Sequence, residues 1–257
     1  TPYFDVTLPL KEQWMYQAVG DVILSHSLLL SFPEVDKKRT ALTGISWGGV
    51  LTSVATSLDH RFRAAVPVYG CGFLAESGRM KQQLDKLSLL ERETWIKQYD
   101  PSVYLSRAKC PVLFLNGTND VHFYLPSMTQ SAALVSKGQV LIKYKLRHGH
   151  GHGWNNQEIG TFIDHYLCNG PALPKIKSLR LQDNILSVKA VSSSPVQKVV
   201  LYYTTDTNVE QEKCEWHFVE AVPSGKEWKV ELPQKVVRWF VNVTDNSGNQ
   251  LSGDLQE

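Results

Sequence analysis

Short apolar runs alternate with segments of helical spacing from residue 12 to residue 167, and beyond Pro174 the pattern changes to a period of two. Trp14, Met15, Ala18, Val19, Val22, Ile23, Leu29 and Leu30 recur at three- and four-residue steps, which predicts an amphipathic helix over 12–31 that ends before Pro33. Apolar runs at 39–45, 64–69, 111–116 and 139–146 read as strands, with helices over 47–58, 126–136 and 154–167. Residues 72–100 are polar around a helix centred on Trp95 and read as an insertion. Strands joined through helices pair in parallel, because each crossover returns the chain to the same end of the sheet, and such a sheet is covered on both faces.

After the Asn-Gly-Pro-Ala-Leu-Pro stretch at 169–174, Trp228, Val230 and Leu232 alternate with Lys229 and Glu231, and Val237, Trp239, Val241 and Val243 with Arg238, Asn242 and Thr244. The alternation predicts strands with one wet face, six or so over about 80 residues, in a small immunoglobulin- or fibronectin-like sandwich. The chain therefore divides into an α/β unit at 1–170 and an all-β unit at 171–257. Its 257 residues suit one medium and one small domain at roughly 150 residues per domain. Lys and Arg number 27 against 25 Asp and Glu, which leaves no basic footprint for nucleic acid. Apolar runs such as 22–24 and 28–30 are too short to span a bilayer. Cys71, Cys110, Cys168 and Cys214 lie far apart, in neither metal-ligand nor disulfide-framework spacing.

The chemistry concentrates in three places. Gly44-Ile45-Ser46-Trp47-Gly48-Gly49 stands where a strand gives way to a helix. Glycines there permit a tight turn that lifts a serine hydroxyl above the sheet edge, and Ser46 is the expected nucleophile. Leu115-Asn116-Gly117-Thr118-Asn119-Asp120 ends a buried strand, and a carboxylate at that point can hold an imidazole in one tautomer; this role falls to Asp120, with helix capping as the bland alternative. Between the next strand and the last helix stands His148-Gly149-His150-Gly151-His152. His150 is favoured as the general base, because flanking glycines let the backbone turn its ring toward the nucleophile, with His148 second and His152 third. The same three histidines could chelate zinc, but no acidic or Cys ligand cluster accompanies them, and no metal or cofactor is expected. His26, His60, His165 and His217 read as packing or solvent-facing, His122 as a residue near the site, and Trp14, Trp95 and Trp154 as core or pocket wall. Asn116 and Asn242 match the glycosylation pattern, but both fall in expected strands.

The chain order Ser46, Asp120, His150 with an elbow at the serine resembles the α/β-hydrolase superfamily. Residues 43–49, 64–73 and 148–154 look like the acetylxylan-esterase-like and dienelactone-hydrolase-like branch of bacterial carbohydrate esterases, in which a C-terminal β-sandwich also occurs. The paired glycine at 48–49 and residues 117–123 are also similar to prolyl-oligopeptidase-type serine peptidases. The resemblance implies an ester hydrolase acting on acetylated plant polysaccharides or oligosaccharides, with a peptidase as the rival and a non-catalytic glycan- or protein-binding module as the alternative of a different class. Trp47 N–H would help hold the oxyanion. Only 45 residues precede Ser46, whereas each crossover in such a sheet takes roughly 30 residues or more. The α/β-hydrolase-type sheet is accordingly expected to be incomplete at the N-terminus, with a companion N-terminal chain or a homo-oligomer supplying the missing strands.

Overall fold

A computed structural model describes residues 2–208 and 210–257. The first long element is helix α1, Trp14–Leu29, followed by strand β1, Ala41–Ile45, and helix α2, Trp47–Leu58. Strand β2, Ala64–Val68, leads into the expected insertion, which holds α3, Gly78–Leu84, and α4, Leu89–Tyr99. Ser88 caps α4 reciprocally with Glu91, so the polar segment stops its own orphan N–H groups. Then come β3, Val112–Asn119, α5, Leu125–Leu134, and β4, Gly138–Arg147. The helix expected over 154–167 is α7, Glu158–Cys168, and a separate short helix, α6, His150–Trp154, precedes it. Among the described residues no helix is long and apolar enough to cross a membrane.

Strands β1 to β4 pair in parallel and in sequence order. Their registers align the carboxyl ends: Ile45 lies opposite Val68, Val68 opposite Leu115, and Asn119 opposite Arg147. The first residue past each of these four strands is Ser46, Tyr69, Asp120 and His148, so one edge of the sheet gathers four side chains spread over a hundred positions. Open α/β sheets place their ligands at this edge. Helix α2 lies against β1 and β2 with Val50, Thr52, Ser53, Val54, Ala55, Thr56 and Ser57 all buried; side chains this small let the helix sit close to the sheet.

Among the described residues the C-terminal part contains eight strands, against the six or so expected: β5, Lys175–Gln182; β6, Ile185–Val191; β7, Val196–Thr204; β8, His217–Glu220; β9, Val222–Ser224; β10, Glu227–Glu231; β11, Arg238–Asp245; and β12, Gln250–Ser252. Four of them form an antiparallel sheet in the order β5-β6-β10-β9. The other four continue the hydrolase sheet, whose full order is β1-β2-β3-β4-β12-β11-β7-β8, with Ser252 of β12 opposite Val140 of β4. The fold is thus α/β-hydrolase-like, with one mixed sheet shared by both parts and a separate antiparallel sheet packed on its far half.

This sharing overturns the expected wet face of β11. Val241 and Val243 enter the sandwich core with Leu186, Val188, Val199 and Leu201, while Phe240 enters the core of the α/β part together with Trp216 and Leu251. Asn242, 2% exposed, donates to the Ile142 carbonyl at 2.9 Å and accepts from Ser252 Oγ at 2.6 Å. A strand interior to a sheet that is covered on both sides buries its polar residues too, and each then needs a partner.

Candidate active site

Ser46 occupies the turn between β1 and α2 with φ of +58°, a region that non-glycine residues rarely enter. Two hydrogen bonds hold it there: its N–H donates to the Val68 carbonyl at 2.9 Å, and its own carbonyl accepts from Val50 N–H at 3.0 Å. Close approach explains two of the three glycines around it. A Cβ on Gly44 would collide with the Gly48 carbonyl, and one on Gly49 would lie 2.6 Å from the Val68 oxygen. The turn leaves Ser46 half-exposed at the N-terminus of α2, whose first N–H is that of Trp47.

His148 bridges the other two groups. Its Nε2 lies 3.0 Å from Ser46 Oγ and its Nδ1 lies 3.0 Å from Asp120 Oδ2. A carboxylate offers only acceptors, so Nδ1 carries the hydrogen and Nε2 is left to accept from the Ser46 hydroxyl. Asp120 is wholly buried, and its second oxygen accepts from the backbone N–H groups of His122 at 2.6 Å and Phe123 at 3.1 Å. The carboxylate therefore presents one oxygen to the imidazole and anchors the other in its own loop.

The geometry brings His148, and not the favoured His150, between Ser46 and Asp120. His150 is exposed and opens α6, so its ring projects from a helical turn, and His152 is exposed in the same short helix. His148 is the first residue past β4 and remains at the sheet edge, with 13% of its side chain exposed. The difference lies in strand length: β4 runs to Arg147, one residue beyond the apolar run that ends at Leu146. Among the described residues no group of three or more His, Cys, Asp or Glu side chains converges as ligands.

Three aromatic rings surround His148: Tyr69 at 4.8 Å, His122 at 4.5 Å and Phe123 at 5.8 Å between centroids. Burial, with the neighbouring His148 second, lowers the pKa of His122, so this second imidazole favours its neutral form. Tyr69, expected as the last residue of a strand and not as a site residue, is fully buried with φ of +52° and donates its hydroxyl to the Arg147 carbonyl at 3.0 Å. Beside Ser46, the Trp47 ring stacks on Tyr3 at 4.3 Å and meets Trp14 edge-on at 5.7 Å. Trp95 is core, donating its Nε1–H to the Tyr3 carbonyl at 2.8 Å, whereas Trp154 is exposed. Asn116 and Asn242 are 1% and 2% exposed.

A hydroxyl beside an imidazole that can take its proton, with the imidazole braced by a buried carboxylate, is the arrangement that serves nucleophilic acyl transfer. Together with the parallel sheet and its strained elbow, it defines an α/β-hydrolase. The sequence model of the prolyl oligopeptidase family matches residues 7–165, more than half of the chain, and the chain belongs to that family of serine hydrolases. The sequence matches no curated protein. Among solved structures, it is similar to an acetyl xylan esterase from Paenibacillus sp. R4, with a TM-score of 0.53 and 24% identity over 61% of this chain and 54% of that one. It is also similar to the Pyrococcus horikoshii acylaminoacyl peptidase, with a TM-score of 0.50 and 19% identity over 62% of this chain and 28% of that one. At these identities the likeness is one of fold, and the chain spans about half the length of the esterase it matches.

Proposed function

We propose that the chain is an ester hydrolase that removes acetyl groups from plant polysaccharide or oligosaccharide esters, with Ser46 as nucleophile, His148 as general base and Asp120 as its orienting acid. The observation that carries this reading is the unbroken pair of 3.0 Å contacts from Ser46 Oγ through His148 to Asp120. Ser46 Oγ attacks the acetyl carbonyl as its proton passes to Nε2. The oxyanion is held in part by Trp47 N–H, and as the intermediate collapses the imidazolium protonates the departing sugar oxygen, which leaves as the hydroxyl. Water, activated by the same imidazole, frees acetate from the acyl-enzyme. The choice of an acetyl ester draws on the sequence resemblance and on the acetyl xylan esterase among the similar folds. Membership of the prolyl oligopeptidase family supports the rival, a peptidase.

Release of p-nitrophenol from its acetate, of acetate from acetylated xylo-oligosaccharides, and of amine from peptide amides separates these readings when wild type is compared with S46A. Ser46-dependent turnover of both esters supports the proposal. Ser46-dependent cleavage of the amides with no action on the acetylated oligosaccharides replaces it with the peptidase, and equal, slow rates for both proteins leave a binding module. The partner expectation takes a concrete form here: β1 is an edge strand whose five residues are all half-buried, and we propose that a strand from a companion chain or a second copy pairs along it. A native mass equal to one chain, alone and with the companion present, removes that proposal.

A further inference from the structure

The carboxylate at the centre of the site stands on a loop that the C-terminal part holds in place. Between β7 and β8 the chain makes a short 3-10 turn, Gln211–Lys213, and Gln211 is 1% exposed. Its Oε1 accepts from Leu125 N–H at 2.6 Å and its Nε2 donates to the Gly117 carbonyl at 3.1 Å. These two backbone groups bracket the segment 117–125 that carries Asp120. One side-chain amide, donor at one end and acceptor at the other, thus closes both ends of the acid loop. The Gly117 carbonyl also accepts from Asp120 N–H at 3.4 Å, so the group that Gln211 grips is bonded to the acid residue itself.

Glu212 extends the seam. Its backbone carbonyl accepts from Asn119 Nδ2 at 3.4 Å, and its carboxylate accepts from the Tyr124 hydroxyl at 3.1 Å. Burial first, and the Glu212 charge second, push the Tyr124 phenol up to about 12, which keeps it a donor. Four hydrogen bonds from one turn therefore land on Gly117, Asn119, Tyr124 and Leu125, around the residue whose Oδ2 must stay within reach of His148 Nδ1.

We infer that Gln211 is a positioning residue for the hydrolase reaction, and that the β7–β8 turn makes the C-terminal part a structural member of the active site. The inference rests on the hydrolase reading and deepens it. Without Gln211 the Leu125 N–H loses its partner inside a packed seam and the Gly117 carbonyl keeps only the longer bond from Asp120 N–H, so the loop must shift to find others. Displacing a catalytic group by about 1 Å costs on the order of 10²-fold in rate.

The test uses the full chain. Gln211→Met keeps the side-chain volume and removes both hydrogen bonds; Val230→Ala, in the sandwich core far along the chain, destabilises the same part without touching the loop. Q211M is expected to lower kcat on p-nitrophenyl acetate about tenfold or more while KM stays within about twofold, and V230A to leave both unchanged at a temperature where each protein is folded. In proton NMR the downfield Nδ1–H resonance of His148, assigned by its loss in H148A, is expected to broaden or vanish in Q211M and to persist in V230A. Wild-type kcat with an intact resonance in Q211M overturns the inference, as does an equal fall in V230A. If wild type shows no Ser46-dependent turnover, the hydrolase reading fails while the resonance still reports whether Gln211 positions the pair. Should Q211M not fold, Tyr124→Phe, which removes one bond of the same seam, is expected to lower kcat about threefold with the resonance shifted; unchanged kcat and resonance there also overturn it.

Discussion

Tyr69 donates its hydroxyl to the carbonyl of Arg147 at 3.0 Å, tying the first residue past β2 to the residue just before the imidazole. Burial, with the Asp120 charge second, pushes the Tyr69 phenol far above its ordinary value, so it remains a donor throughout the working range of such a site. The bond spans 78 positions and stands between His148 and the freedom of a glycine-rich loop. Tyr69→Phe is expected to lower kcat on an acetate ester about three- to tenfold with KM little changed, and to cost about 1 kcal/mol of stability. Steady-state kinetics and a denaturant titration read the two effects. Unaltered kcat would remove Tyr69 from the account of how the base is held.

The three histidines are separable by substitution. His148→Ala is expected to lower kcat at least 10³-fold, to roughly the level of S46A, because members of such a set act as a unit. His150→Ala and His152→Ala, at exposed positions of α6, are expected to stay within about twofold of wild type. A large loss in H150A with H148A active would reverse the assignment.

At the elbow, the paired glycines differ in what they tolerate. A Cβ at Gly49 meets the Val68 carbonyl oxygen at 2.6 Å, whereas one at Gly48 finds nothing within 4 Å. Gly49→Ala is expected to cost about 3 kcal/mol or more by forcing α2 off the sheet. Gly48→Ala should be neutral or stabilising by up to about 1 kcal/mol through helix propensity. Thermal unfolding of both variants checks the contrast, and equal effects would contradict the packing described for α2.

A second histidine-carboxylate pair lies away from the site. His26 Nδ1 meets Asp59 Oδ2 at 2.7 Å, its Nε2 meets Thr40 Oγ1 at 2.9 Å, and its ring stacks on Phe62 at 3.8 Å. Burial raises the Asp59 pKa, but hydrogen bonds from Arg61 and His26 outweigh that and hold it at about 2. A carboxyl depressed in the folded state binds its proton first in the unfolded chain, so its contribution is full above about pH 4 and fades as pH falls toward 2. With Arg61 and His26 both holding it, the Asp59 carboxylate contributes about 2 kcal/mol by that linkage. Asp59→Asn is expected to lower Tm by several degrees at pH 7 and to differ progressively less from wild type as pH falls from 4 to 2. A pH-independent difference would show that the charge contributes nothing.

Much of the α/β part was legible because its signals are local. The elbow at Ser46 needs only a strand, a glycine-permitted turn and a helix made of small residues, all contiguous. The acid loop is legible for the same reason, since an apolar run ending at Asn116 and a carboxylate four positions later lie on one continuous stretch. Periodicity also revealed the strands of the C-terminal part, because alternation is a property of each strand alone.

What the order of residues could not decide is which groups become neighbours. Three histidines two positions apart are equivalent in composition, and His148 was selected only when β4 extended to Arg147, α6 opened at His150, and Tyr69 took hold of the intervening carbonyl. The wet face assigned to β11 vanished because β12 docks on β4 and joins two sheets into one, so Asn242 and Phe240 are buried by partners a hundred residues away or in another layer. Gln211 carries no motif at all; its role exists only because the β7–β8 turn lands on the acid loop. Secondary structure follows from interactions within a few residues, whereas contacts between elements are set by how buried faces pack and by which buried polar groups find partners, and those are properties of the assembled chain.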